Sequence, residues 1–100
     1  MTIKEMVNSE KNWDAANTLF QFIQLLDNDL SGLMREYERK LKTLISETPI
    51  GELMVLYPIL LDKNGTLIDM LEELVTETLG DRLMPEDYAE WSKLMDDLED

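Results

Sequence analysis

The first half of the sequence repeats apolar residues at intervals of seven. A second row follows the first three members of this row at a distance of three residues. The first row is Ala16, Ile23, Leu30, Tyr37 and Leu44, and the second is Leu19, Leu26 and Leu33. Two such rows form the apolar seam of a helix that packs lengthwise on other helices. The pattern predicts one long helix over residues 12–46.

The remainder of the chain predicts three further main helices and a short first turn at residues 3–8. Thr48 and Pro49 precede the most apolar run of the sequence, IGELMVLYPILL at residues 50–61. Pro49 suits the first position of this helix. Thr48, which precedes it, is expected to be the N-cap. A third helix is expected to end at Gly80, and Pro85 is expected to open the last one. We therefore predict a single all-α domain over residues 1–100, a small bundle of about four helices.

The amino-acid composition argues against most kinds of enzyme catalysis. The chain has no His and no Cys, so catalytic triads, thiol nucleophiles and zinc sites are not expected. Glu72, Glu73 and the run at residues 77–81 resemble the magnesium-binding acids of MazG-type nucleotide pyrophosphohydrolases. The first acidic cluster of that family has no match in this chain. We expect no enzyme activity, no cofactor and no metal.

Negative charge is concentrated in the second half. The net charge is −13, and residues 51–100 hold 3 basic and 14 acidic residues. Nucleic acid and anionic membranes bind cationic surfaces, so direct binding to either is not expected. No apolar run approaches the roughly 20 residues of a membrane span, and the predicted location is the cytoplasm. The charge favours a partner protein with a basic surface.

The acids of the last third occur at helical spacing and form the candidate contact surface. The partner-binding residues that the spacing predicts are Asp69, Glu72, Glu73, Glu77, Glu86, Asp87, Glu90 and Asp97. Carboxylates one helical turn apart have a spacing similar to that of neighbouring phosphates in a nucleic-acid strand. The face is therefore a candidate nucleic-acid mimic that inhibits a nucleic-acid-binding protein, as small phage-encoded inhibitors do.

Two alternative functions rest on residues outside the acidic face. Phe20, Phe22 and Leu25 flank the heptad seam and widen its apolar arc, which favours an adaptor or chaperone-like module that docks a partner helix or a second copy of itself. The simplest role of these aromatic residues is core packing.

The second, minor alternative is an EF-hand-like calcium loop at residues 27–38. Asp27, Asp29, Ser31, Gly32 and Glu38 match five of its positions. Arg35 stands at the ninth position and Leu30 at the fourth, where calcium loops carry other residue types. The heptad rows also run through this stretch. We expect it to be the middle of the long helix, with Ser31 and Gly32 as a flexible joint.

Overall fold

The fold is built around the most apolar segment of the chain. In a computed structural model, which describes residues 2–29, 34–61, 63 and 66–99, this segment is the fourth helix. The helices are α1 (Ile3–Val7), α2 (Glu10–Asp29), α3 (Met34–Glu47), α4 (Ile50–Leu61), α5 (Thr66–Arg82) and α6 (Pro85–Glu99). The all-α prediction is confirmed for this part of the chain.

Helix α4 lies at the centre because it has almost no polar face to offer to water. Its buried residues are Gly51, Leu53, Met54, Val55, Leu56 and Leu60. Helices α1, α2, α5 and α6 all pack against it, and α3 packs against α2 and α5. Burying a large aliphatic side chain contributes roughly 1.5–3 kcal/mol, so α4 is the main apolar component of the core.

Helix α4 continues through Pro58 without a break. Proline has no N–H to donate to the carbonyl four residues earlier, and in α4 that carbonyl belongs to Met54. The indole Nε1 of Trp91, on α6, donates a hydrogen bond to the Met54 carbonyl oxygen at 3.0 Å. Trp91 is 2% exposed and also contacts the Tyr57 ring edge-on. Helix α6 thus supplies the donor that Pro58 lacks.

The prediction of one long helix over residues 12–46 is wrong. Such a helix would be about 52 Å long, whereas the longest dimension of the fold is 39 Å. Phe22 of α2 and Thr43 of α3 line the same groove, although a continuous helix would separate them by about 32 Å. The chain turns back between α2 and α3. The predicted joint at Ser31 and Gly32 lies outside the described residues.

The folded-back arrangement still uses the heptad rows. Ala16 and Ile23 of α2 and Tyr37 of α3 are buried in one core, and Leu44 packs against it. Because both helices turn their seams towards α4 and α5, the periodicity correctly marks the buried faces. Six helices are present among the described residues, rather than about four, because the long helix is two helices and the first turn is α1.

Thr48 ends α3 instead of capping α4. Its hydroxyl donates to the Leu44 carbonyl at 2.7 Å, and its own carbonyl accepts a hydrogen bond of 2.7 Å from Arg82 Nη1. Both bonds involve carbonyls at the end of α3, which have no partner within the helix. Helix α5 continues through Gly80 to Arg82, and the last turn of α5 is thereby joined to the end of α3.

Gly51 allows α2 to approach α4 closely. A Cβ at this position would lie 2.7 Å from Nδ2 of Asn12, a distance that real side chains do not adopt. Asn12 cannot swing away freely, because the same Nδ2 donates to the Met6 carbonyl at 3.0 Å. Gly80 differs, since a Cβ there would meet its nearest neighbour, the Tyr88 ring, at 3.9 Å.

The substitution Trp91→Phe is expected to lower the free energy of unfolding by about 1–3 kcal/mol, because it leaves the buried Met54 carbonyl without a donor. In a Pro58→Ala background the loss should be smaller, since the backbone N–H that this substitution introduces bonds to the same carbonyl. Urea denaturation of the wild type, both single variants and the double variant measures this coupling. Equal losses in the two backgrounds would show that the hydrogen bond is not the reason.

Alanine at the two glycines is expected to have opposite effects. Gly80→Ala should raise the free energy of unfolding by up to about 1 kcal/mol through helix propensity. Gly51→Ala should lower it by about 1–3 kcal/mol, because the new methyl group overpacks the contact with Asn12. Thermal unfolding followed by circular dichroism compares them. A Gly51→Ala variant as stable as Gly80→Ala would contradict the close approach of α2 and α4.

Candidate functional site

The acids of α5 form a line on its outer side. Asp69, Glu73 and Glu77 are exposed, and Glu72 beside them is half-buried. Exposed Asp81 continues the line by one more turn, so the stripe consists of Asp69, Glu73, Glu77 and Asp81. Successive members are separated by about 6 Å along the axis. The sequence prediction omitted Asp81, although its four-residue spacing from Glu77 was a sufficient signal.

The acids of α6 lie on a different surface. Glu86, Glu90 and Asp97 are exposed, and Asp87 is half-buried. At about 100° per residue, the three exposed acids lie on the side of α6 opposite Tyr88, whose ring lies against Gly80 of α5. They therefore point away from α5. The eight predicted residues are divided between two surfaces, and exposed Lys93 lies among those of α6.

The α5 stripe has no cation paired with it in the described part of the chain. The two ion pairs found there both lie within α3, Glu36 with Arg39 at 3.7 Å and Glu38 with Lys42 at 3.4 Å. Lys42 shares a shallow depression of about 220 Å³ with Glu77 and Asp81, without reaching either of them within 4 Å. Neighbouring like charges on a helix destabilise it by about 0.2–0.5 kcal/mol per pair.

Burial and a neighbouring charge both affect the pKa of the Glu72 carboxyl. Partial burial, together with the neighbouring negative charge of Asp69, raises the pKa of the Glu72 carboxyl above its ordinary value. Both causes favour the neutral acid in the folded protein. Ionised Glu72 therefore destabilises the fold at neutral pH. As pH falls through the raised pKa, protonation adds stability to the folded state.

The acidic side chains of the described residues do not cluster as metal ligands. Across the described ranges, no group of three or more acidic side chains is placed to hold a metal ion. Four of the twelve positions of the candidate calcium loop at residues 27–38, namely residues 30–33, lie outside the described residues. Its third position, Asp29, still belongs to helix α2, and its twelfth, Glu38, is exposed and paired with Lys42.

A groove between α2 and α3 brings apolar and charged side chains together at the surface. Phe20 enters the core as expected, but Phe22 is 49% exposed and Leu25 is 62% exposed. The α2–α3 groove has a volume of about 410 Å³ and contains apolar Phe22, Leu26 and Leu44 beside charged Arg39, Lys40 and Glu47. Large exposed apolar residues that cluster beside a groove are typical of protein contact sites.

No known protein family, curated protein or solved structure matches the chain significantly. None of the described helices is both long and apolar enough to span a membrane.

We expect Glu72→Gln to raise the melting temperature at pH 7, because it removes a charge that burial and Asp69 disfavour. The gain should shrink as pH falls below the raised pKa of Glu72, where the wild-type side chain is itself neutral. Glu73→Gln is the matched comparison, since it relieves only the repulsion of an exposed charge on the same helix and should raise the melting temperature less. A gain from Glu72→Gln that is independent of pH would contradict this account.

Proposed function

We propose that the protein is a non-catalytic interaction module whose acidic C-terminal helices bind a basic surface of another protein. The observation that carries this proposal is the α5 stripe, in which four exposed carboxylates follow one another without an interleaved cation. Its three neighbouring pairs destabilise the isolated helix by about 0.6–1.5 kcal/mol. A cationic partner converts this repulsion into attraction.

The stripe is the stronger of the two acidic surfaces. On α6, Lys93 lies among Glu86, Glu90 and Asp97 and reduces the local negative potential. Lys42 near the α5 stripe belongs to α3 and is paired with Glu38. The α5 stripe is continuous over about 18 Å. We place the main contact on α5 and a supporting contact on α6.

The spacing of the stripe supports the narrower proposal of nucleic-acid mimicry. Carboxylates about 6 Å apart in a row present negative charge at a spacing similar to that of phosphates along one strand. A protein that binds nucleic acid through Lys and Arg would meet a comparable row of charges on α5. In this version the module inhibits its partner by occupying the nucleic-acid site.

A second candidate function rests on the α2–α3 groove. Exposed Phe22 and Leu25 beside this groove favour an adaptor or chaperone-like module that docks a helix through apolar contact. Salt separates the two functions, because it screens contacts between exposed charges and hardly affects apolar ones.

Two triple variants with the same net charge test the α5 contact. The α5 variant carries Asp69→Asn, Glu73→Gln and Glu77→Gln, and the α6 variant carries Glu86→Gln, Glu90→Gln and Asp97→Asn. Basic proteins of the source cell that the wild type captures at low salt and releases at high salt are purified and titrated by calorimetry. The α5 variant should bind the partner about tenfold more weakly than the wild type, and the α6 variant should lose less.

Two results would contradict the proposal. One is the lack of any basic protein whose binding depends on salt, and the other is equal binding by both variants and the wild type. Competition with duplex nucleic acid then tests mimicry. Displacement of the module supports it, whereas a complex of partner, module and nucleic acid together excludes mimicry and leaves the acidic contact intact.

A further inference from the structure

The rim of the α2–α3 groove carries two opposite charges that have no ion-pair partner among the described residues. Lys40 and Glu47 both line this groove and both are exposed. They are seven residues apart, which places them on one side of α3, two turns and about 10 Å from each other. Thr43 and Leu44, which also line the groove, lie midway between them.

The two charges of one α3 helix complement those of a second α3 helix that runs in the opposite direction. If a second α3 lies antiparallel to the first, with a two-fold axis at Thr43 and Leu44, each Lys40 faces the Glu47 of the other copy. A two-fold interface requires such self-complementarity, because the same surface is used on both sides. Phe22 lines the same groove, and Leu25, which follows it by about one turn of α2, is also exposed. Together they supply apolar area to cover.

We propose that the α2–α3 groove is the interface of a two-fold homodimer of this chain. The groove of one copy receives Phe22 of the other, and the two Lys40–Glu47 contacts fix the antiparallel register of the α3 helices. This inference goes beyond the proposed function, because it assigns the apolar surface to self-association and leaves the α5 stripe open for a basic partner.

The distribution of charge over the fold favours this face for self-association. Helix α3 has 4 basic and 3 acidic residues, whereas α6 has 1 basic and 6 acidic residues. Helix α6 packs on α1, α4 and α5, and none of its acidic residues lines the groove. Two chains of net charge −13 still repel each other at long range. Salt screens that repulsion and should strengthen the dimer, which is the opposite of its effect on an acidic contact.

Sedimentation equilibrium of the purified protein tests the dimer. The wild type should be a dimer at micromolar concentrations, and its association constant should rise from low to moderate salt. Phe22→Gln with Leu25→Gln should make the protein monomeric with its helix content unchanged, because both positions are exposed. Met84→Gln is the control, since Met84 is 64% exposed on the turn between α5 and α6, and it should leave association unchanged.

A charge exchange between variants tests the register. Lys40→Glu and Glu47→Lys should each weaken self-association by about five- to thirtyfold, because each places like charges together twice. Glu47→Lys is the sharper variant, since its lower negative charge would by itself strengthen association. Mixing the two variants restores both pairs, so a heterodimer should form with about wild-type affinity.

Three results would overturn the inference. The first is a wild-type protein that stays monomeric up to several hundred micromolar, which would assign the groove to a helix of another protein. The second is a dimer that the double Gln variant does not disrupt. The third is a mixture of the two charge variants that associates no better than either variant alone. None of these results affects the proposed contact of the α5 stripe.

Discussion

The need to cover α4 on all sides determines how the other helices are arranged. A helix with polar residues on one face can lie at a surface, but α4 buries six of its twelve residues and half-buries the others. Four helices must therefore approach it, and two of them do so through specific contacts. Gly51 lets α2 come close, and Trp91 of α6 satisfies the carbonyl that Pro58 leaves without a donor. The apolar, proline-containing sequence of α4 thus requires both close packing and a hydrogen-bond donor from a helix that is distant in sequence.

The helices around α4 leave two kinds of surface exposed. One is the α2–α3 groove, with Arg39 and Lys40 of α3 in its lining and with exposed Phe22 and Leu25 on α2. On the other, α5 and α6 turn unpaired carboxylates to water. Salt weakens contacts between opposite exposed charges and hardly affects apolar contacts. A module with both surfaces can join its own copies through one and hold a basic partner through the other.

Periodicity predicted the buried faces well and the path of the chain poorly. Ala16, Ile23 and Tyr37 were placed in the core correctly, because a seven-residue repeat marks one face of any helix that contains it. The same repeat hid the turn between α2 and α3, since the rows keep their phase across it. For Phe22 the sequence left both core packing and a docking surface open, because a helical pattern shows how wide an apolar arc is but not how much of it the neighbouring helices cover.

Contacts between residues far apart in sequence had no local signal. The hydrogen bond from Trp91 to Met54 joins positions 37 residues apart, and Thr48 was expected to cap α4 before its bonds to Leu44 and Arg82 were known. The acids of α5 and α6 were predicted by residue type and spacing. Their division between two surfaces depends on the angle at which α6 packs, which the sequence does not specify.

The proposed contact of α5 with a basic partner is tested most directly by zero-length cross-linking of carboxylates to lysines in the complex. Peptide mapping by mass spectrometry identifies the carboxylates that react. The account predicts that cross-links concentrate at Asp69, Glu73, Glu77 and Asp81, with fewer at the α6 acids. Cross-links confined to α2 and α3, with none at the α5 stripe, would contradict it.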